Sequence, residues 1–118
     1  MGTFYWPMTV STVTGEGSRE IETLVDTGAT YSMVPENVLR EIGIAPIRAS
    51  FFQLADGSRE RMQMGRMLVS IGGLAEICPV VFGPENARPL IGAVTLEALL
   101  LTVDPIKRRL VSTDGLLL

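Results

Sequence analysis

Asp26-Thr27-Gly28 closes an apolar run, Leu24-Val25, and opens a stretch of small and polar residues from Ala29 to Ser32. Water solvates a carboxylate far better than a protein interior does. An acid at the end of a buried-looking strand is therefore either an acidic turn or a group the fold holds in place for chemistry. The chemistry open to this chain is narrow. It has no histidine and one cysteine, Cys78. Ser-His-Asp and Cys-His machinery are excluded, as is a histidine metal site. Acid–base work near neutral pH falls to carboxylates, Lys, Tyr or Cys. Cys78 lies between apolar neighbours in Glu76-Ile77-Cys78-Pro79-Val80 and reads as a buried, inert thiol, with no zinc or disulfide framework available to it.

The elements that must position Asp26 read mostly as short strands. Residues 8–13 are rich in β-branched side chains, and residues 20–25 alternate, with Ile21, Thr23 and Val25 on one face. A short helix is predicted from Pro35 to Ile42. Proline suits a first helical position, Val38, Leu39 and Ile42 share a face, and Gly43 fits just past the end. Residues 49–64 read as strand, turn, strand about Asp56-Gly57, a two-residue hairpin signal. Residues 66–71 alternate again, with Met67, Val69 and Ile71 on one side. Residues 74–82 form a further strand, in which Pro79 marks an edge or a bulge. A second helix is predicted over Val94–Leu100, and residues 101–113 close the chain as a hairpin turning at Asp104-Pro105. The two stretches 24–29 and 89–93 echo one another. Each is an apolar strand ending in Gly-Ala and followed by a helical stretch.

Size and charge set the outer bounds. The chain of 118 residues is expected to form one domain, residues 1–118, large enough to fold without disulfides. A net charge of −3 argues against nucleic acid as a partner. The one basic run, Lys107-Arg108-Arg109, follows Asp104-Pro105 and reads as a solvated turn. No apolar run reaches the length of a membrane span. The first ten residues lack the features of a secretory signal, and Trp6 stands where a myristoylation pattern requires Ser or Thr. A cytoplasmic location with no membrane partner is the expectation.

The motifs together resemble those of the retropepsin-like aspartic proteases, the retroviral and retrotransposon proteases with their cellular and bacterial relatives. Leu24-Val25-Asp26-Thr27-Gly28-Ala29-Thr30 resembles the active-site loop. Residues 53–62 form a hairpin where the family has its flap, and residues 89–99 resemble its apolar-apolar-Gly element followed by a helix. Residues 103–111 look like the terminal hairpin with which bacterial members complete a dimer sheet. Two departures are visible. Thr30 stands where retroviral members often have an acid, and the flap tip is Ala55-Asp56-Gly57-Ser58 in place of a glycine-rich one.

The resemblance implies an all-β fold with two short helices, a closed barrel-like domain that forms a homodimer, and no cofactor or metal. It implies a catalytic triplet of Asp26, Thr27 and Gly28. Substrate contacts carry over to Ala29, Met33 and Leu90 on the floor and to Ala55, Asp56 and Gly57 in the flap. Amide hydrolysis needs an activated water and a proton for the leaving amine. Two carboxylates sharing one proton supply both. The chain holds one Asp-Thr-Gly, so the second carboxylate would come from a second copy across a twofold axis. The substrate would be a peptide or unfolded protein lying extended between flap and floor. The alternatives are a non-catalytic dimerising or peptide-binding module of the same fold, and a small β domain in which Asp-Thr-Gly is a coincidence.

Overall fold

The computed structural model describes residues 3–117. Nine strands and two short helices follow one another as β1 (Phe4–Ser11), β2 (Arg19–Val25), β3 (Ser32–Pro35), α1 (Glu36–Ile42), β4 (Arg48–Gln53), β5 (Arg59–Ile71), β6 (Leu74–Gly83), β7 (Leu90–Ile91), α2 (Ala93–Ala98), β8 (Leu101–Asp104) and β9 (Arg109–Ser112). Seven strands form one sheet in the order β1-β2-β7-β3-β6-β5-β4. β1 also pairs with β5 through Thr9–Ser11, so the sheet closes on itself as a barrel. The expected all-β, barrel-like class is the observed one.

Alternation along the strands fills the barrel. Met8, Val10, Val25, Val34, Met67, Val69, Cys78, Val80 and Ile91 are all buried, and Leu39 of α1 with Leu96 of α2 packs onto them. Burial pushes the Cys78 thiol up from its ordinary value, which suits an inert core group. The few buried polar side chains have partners. Thr23 Oγ1 donates to the Trp6 carbonyl at 2.6 Å, and among the described residues no buried side-chain nitrogen or oxygen lacks a hydrogen bond.

The register sets the β4–β5 hairpin apart from the barrel. Residues Arg59–Gln63 of β5 pair only with β4, whereas from Met64 onward β5 pairs with β6. The β4–β5 hairpin therefore projects beyond the barrel wall. β5 is one continuous strand of 13 residues and not the two segments the sequence suggests.

Several boundaries differ from expectation, each for a long-range reason. β1 begins at Phe4, because Phe4–Val10 lie opposite Arg19–Val25, and it stops at Ser11, short of the expected residue 13. Pro35 is the residue before α1, since it still pairs with Gly83 in the sheet. Gly43 ends that helix in the left-handed region, as expected. α2 starts at Ala93 and stops at Ala98, with Leu100 in the left-handed region at φ 54°. The turn about Asp56-Gly57 has three residues between Leu54 and Ser58. Leu54 N–H donates to the Ser58 carbonyl and Gly57 N–H to that of Leu54. Only Gly57 has positive φ there, +85°, whereas a two-residue turn of the expected type needs two such residues. Pro79 sits on β6 one residue before β3 begins to pair at Val80, a local edge that tolerates the missing N–H. Residues 101–104 and 109–112 pair as the closing hairpin in a two-stranded sheet of their own. No helix among the described residues is long and apolar enough to cross a membrane.

Candidate active site

Asp26 is held by a pairing between the two stretches that echo one another in sequence. β2 and β7 run parallel, with Leu24 opposite Leu90 and Val25 opposite Ile91, so the two apolar stretches lie side by side. Leu24 N–H donates to the Pro89 carbonyl at 2.9 Å and Asp26 N–H to the Ile91 carbonyl at 3.0 Å. The chain then folds back on itself. Asp26 Oδ1 accepts from Gly28 N–H at 3.0 Å, and the Asp26 carbonyl accepts from Ala29 N–H at 3.1 Å. Aspartate favours such tight local turns because its short side chain reaches the backbone two residues on.

The far side of the loop is fixed by α2. Ala29 and Thr30 carbonyls accept from Ala93 and Val94 N–H at 2.8 and 2.9 Å. Beneath them the buried Ser32 hydroxyl accepts from Gly92 N–H at 3.0 Å and shares a 2.6 Å hydrogen bond with Thr95. Gly92 is required for this approach. A Cβ there would stand 2.5 Å from the Tyr31 carbonyl carbon. The loop is thus tied to β7 and α2 on both sides, while Thr27 and Gly28 face solvent in the single chain.

A cleft of about 750 Å³ opens between this loop and the flap hairpin. Of the positions to which the resemblance assigns catalytic or substrate roles, Asp26, Gly28, Ala29, Met33, Ala55 and Leu90 line it. Thr27 stands beside it on the exposed loop. Asp56 and Gly57 lie at the solvent-exposed flap tip and do not line the cleft. Asp56 is engaged locally. The Ser58 hydroxyl at 2.6 Å, then the Ser58 amide at 2.9 Å, hold its carboxyl below the usual carboxylate range.

Several cleft residues escaped the sequence reading. Tyr31 on the loop meets Phe52 on the flap arm edge to face, with ring centroids 6.0 Å apart. Met62, Met64 and Val81 complete an apolar wall beside the polar Ser50. The signal was present in the period of two, which sets Ser50 and Phe52 on the same face of β4. Among the described residues no group of three His, Cys, Asp or Glu side chains is placed to hold a metal ion.

The fold has counterparts among solved structures. EIAV protease complexed with the inhibitor HBY-793 matches with a TM-score of 0.63 at 12% identity, over 93% of each chain. A retropepsin-like aspartic protease from Rickettsia conorii matches at 0.57 and 18% identity, over 87% of this chain and 77% of that one. The simian foamy virus (mac) protease matches at 0.52 and 18% identity, over 76% and 90%. No curated protein matches the sequence. The family model for the gag-polyprotein putative aspartyl protease matches residues 11–98, a span from the end of β1 through the Asp26 loop, the flap and α2. The chain belongs to that retropepsin-like aspartic protease family.

Proposed function

We propose that this chain is a homodimeric aspartic endopeptidase in which two copies of Asp26, one from each subunit, share a proton and activate a water. One observation carries the reading. The Asp26 carboxylate lines a cleft large enough for an extended peptide, on a loop tied to both β7 and α2, beneath a projecting hairpin. One carboxylate takes a proton from water as the water oxygen attacks the scissile carbonyl carbon. Its symmetric copy donates a proton to the amide nitrogen as the C–N bond breaks. Thr27 would bridge the two loops across the axis. Gly28 lets the substrate backbone approach, and the flap, with Ala55, Asp56 and Gly57 at its tip, would close over the peptide.

Dimer formation has support in the surface. The β8–β9 hairpin is a two-stranded sheet, which is marginal on its own, and it is flanked by exposed Leu100, Ile106, Leu116 and Leu117. Apolar Met33 and Leu90 in the cleft favour apolar residues on either side of the cut. The test is cleavage of a diverse peptide library read by mass spectrometry from acidic to neutral pH, with Asp26→Asn beside the unmodified chain. Cleavage by the unmodified chain alone supports the dyad and gives the preferences at the same time. Absence of cleavage by both at every pH would instead support a dimerising or peptide-binding module.

A further inference from the structure

We propose that the substrate cleft continues past the start of β4 onto the outer face of the barrel, where Arg48 and Arg66 form a distal subsite for an acidic side chain of an extended substrate. The inference rests on the peptidase reading for the identity of the occupant. Its geometry comes from strand register. Arg48 lies opposite Met64, which lies opposite Val81, and Arg66 lies two residues further along β5, opposite Pro79. Side chains two apart on a strand share a face. Met62, Met64 and Arg66 therefore stand in one row, with Ser50 and Arg48 alongside. The first part of that row is a wall of the cleft. The second part borders a separate cavity of about 290 Å³, which shares Arg48 and Met64 with the cleft and adds Arg66, Ile77 and Pro79. The two cavities thus meet at Arg48 and Met64, which border both.

Charge says what this surface would take. Asp26, Arg48 and Arg66 are the charged residues lining the two cavities. Arg19, Arg40 and Arg109 each have a carboxylate partner, whereas neither Arg48 nor Arg66 has an ion pair or side-chain hydrogen bond among the described residues. Two uncompensated guanidinium groups on one face of a protein with net charge −3 are complementary to a carboxylate, which a guanidinium binds in two-pronged fashion. Ile77, about half exposed beside them, offers apolar contact to the stem of a Glu side chain. A peptide leaving the cleft in extended form presents alternate side chains to this strip. In a symmetric dimer each subunit would carry one strip, one for each end of the substrate.

The probe is a set of fluorescein-labelled peptides with one apolar centre and Glu, Gln or Lys placed about three to six residues from it. Binding is measured by fluorescence polarisation on Asp26→Asn, and cleavage on the unmodified chain. Glu at one distal position should tighten binding about two- to fivefold over Gln at low salt, the range for exposed ion pairs. The gain should fade with added salt, vanish in Asp26→Asn/Arg66→Ala, and turn into a preference for Lys in Asp26→Asn/Arg66→Glu. An equal gain with and without Arg66, or no preference at any distal position, overturns the subsite. The two readings fail separately. Cleavage without a distal acidic preference removes the subsite alone, and acid-dependent binding without any cleavage removes the peptidase reading alone.

Discussion

Asp26 and Asp56 make the same local structure. Each carboxylate accepts a hydrogen bond from the backbone N–H two residues on, at 3.0 Å from Gly28 and 2.9 Å from Ser58. Each is followed closely by a glycine. What differs is everything beyond the turn. The Asp26 loop is bonded to β7 on one side and to the start of α2 on the other, over a buried Ser32–Thr95 pair. The Asp56 turn is bonded only to itself, at the tip of a hairpin half of which touches no other strand. One turn is anchored on two sides beside a cleft and the other is an exposed tip bonded only to its own hairpin. An aspartate in a tight turn is common; one whose turn is held by two other elements can keep a reacting geometry.

The largest expected difference between these regions is in activity. Asp26→Asn should lower kcat/KM by about 10²–10⁴-fold or more, the scale of lost acid–base catalysis. Its melting temperature should stay close to that of the unmodified chain. Asp56→Asn should change kcat/KM by less than about tenfold, since Asp56 lies at the exposed tip outside the cleft lining and, in the proposed reading, would act through closure alone. Steady-state kinetics on one peptide measure both.

Stability should split the regions next. Gly92→Ala drives a Cβ into the Tyr31 backbone and should cost about 1–3 kcal/mol in urea unfolding, with a loss of activity as the loop shifts. Gly57→Ala meets nothing within 4 Å and carries only the strain of its φ of +85°, about 1–2 kcal/mol. Ser32→Ala leaves Gly92 N–H and the Thr95 hydroxyl without their buried partner and should cost about 1–3 kcal/mol.

The smallest effect belongs to the flap tip. Ser58→Ala should move the Asp56 titration upward toward the ordinary carboxylate range, read by NMR, with little change in unfolding. The sign follows from linkage. A carboxyl held below its unfolded value stabilises the fold above that unfolded value, and the contribution is lost as pH falls through the lowered one.

The two regions also differ in how much of them the sequence revealed. The Asp26 loop, the hairpin at residues 53–62 and the helix after Gly92 all carry local signals: an acid after an apolar run, Asp-Gly, and Gly before an apolar helix. The stretches 24–29 and 89–93 echo one another in sequence, but only the structure shows that β2 pairs with β7 through them. The partners that hold the loop were less legible. Ser32–Pro35 is only four residues long and becomes a strand because it fits between β6 and β7. The buried hydroxyls of Thr23, Ser32 and Thr95 look like surface residues until their partners, 17 and 63 positions away, are known. Tyr31 and Phe52 meet across the cleft, and nothing in either neighbourhood marks them as a pair. Contacts between distant segments are set by register and closure, which short windows do not contain.

The most direct measurement is activity in mixtures of the unmodified chain with Asp26→Asn, equilibrated so that subunits exchange. If catalysis needs Asp26 from both subunits, random pairing at equal proportions leaves about a quarter of the activity of an all-unmodified sample at the same total concentration. A value near one half, scaling linearly with the unmodified fraction, would mean that each Asp26 acts independently, and one near three quarters that one Asp26 per dimer suffices; either would contradict the shared dyad.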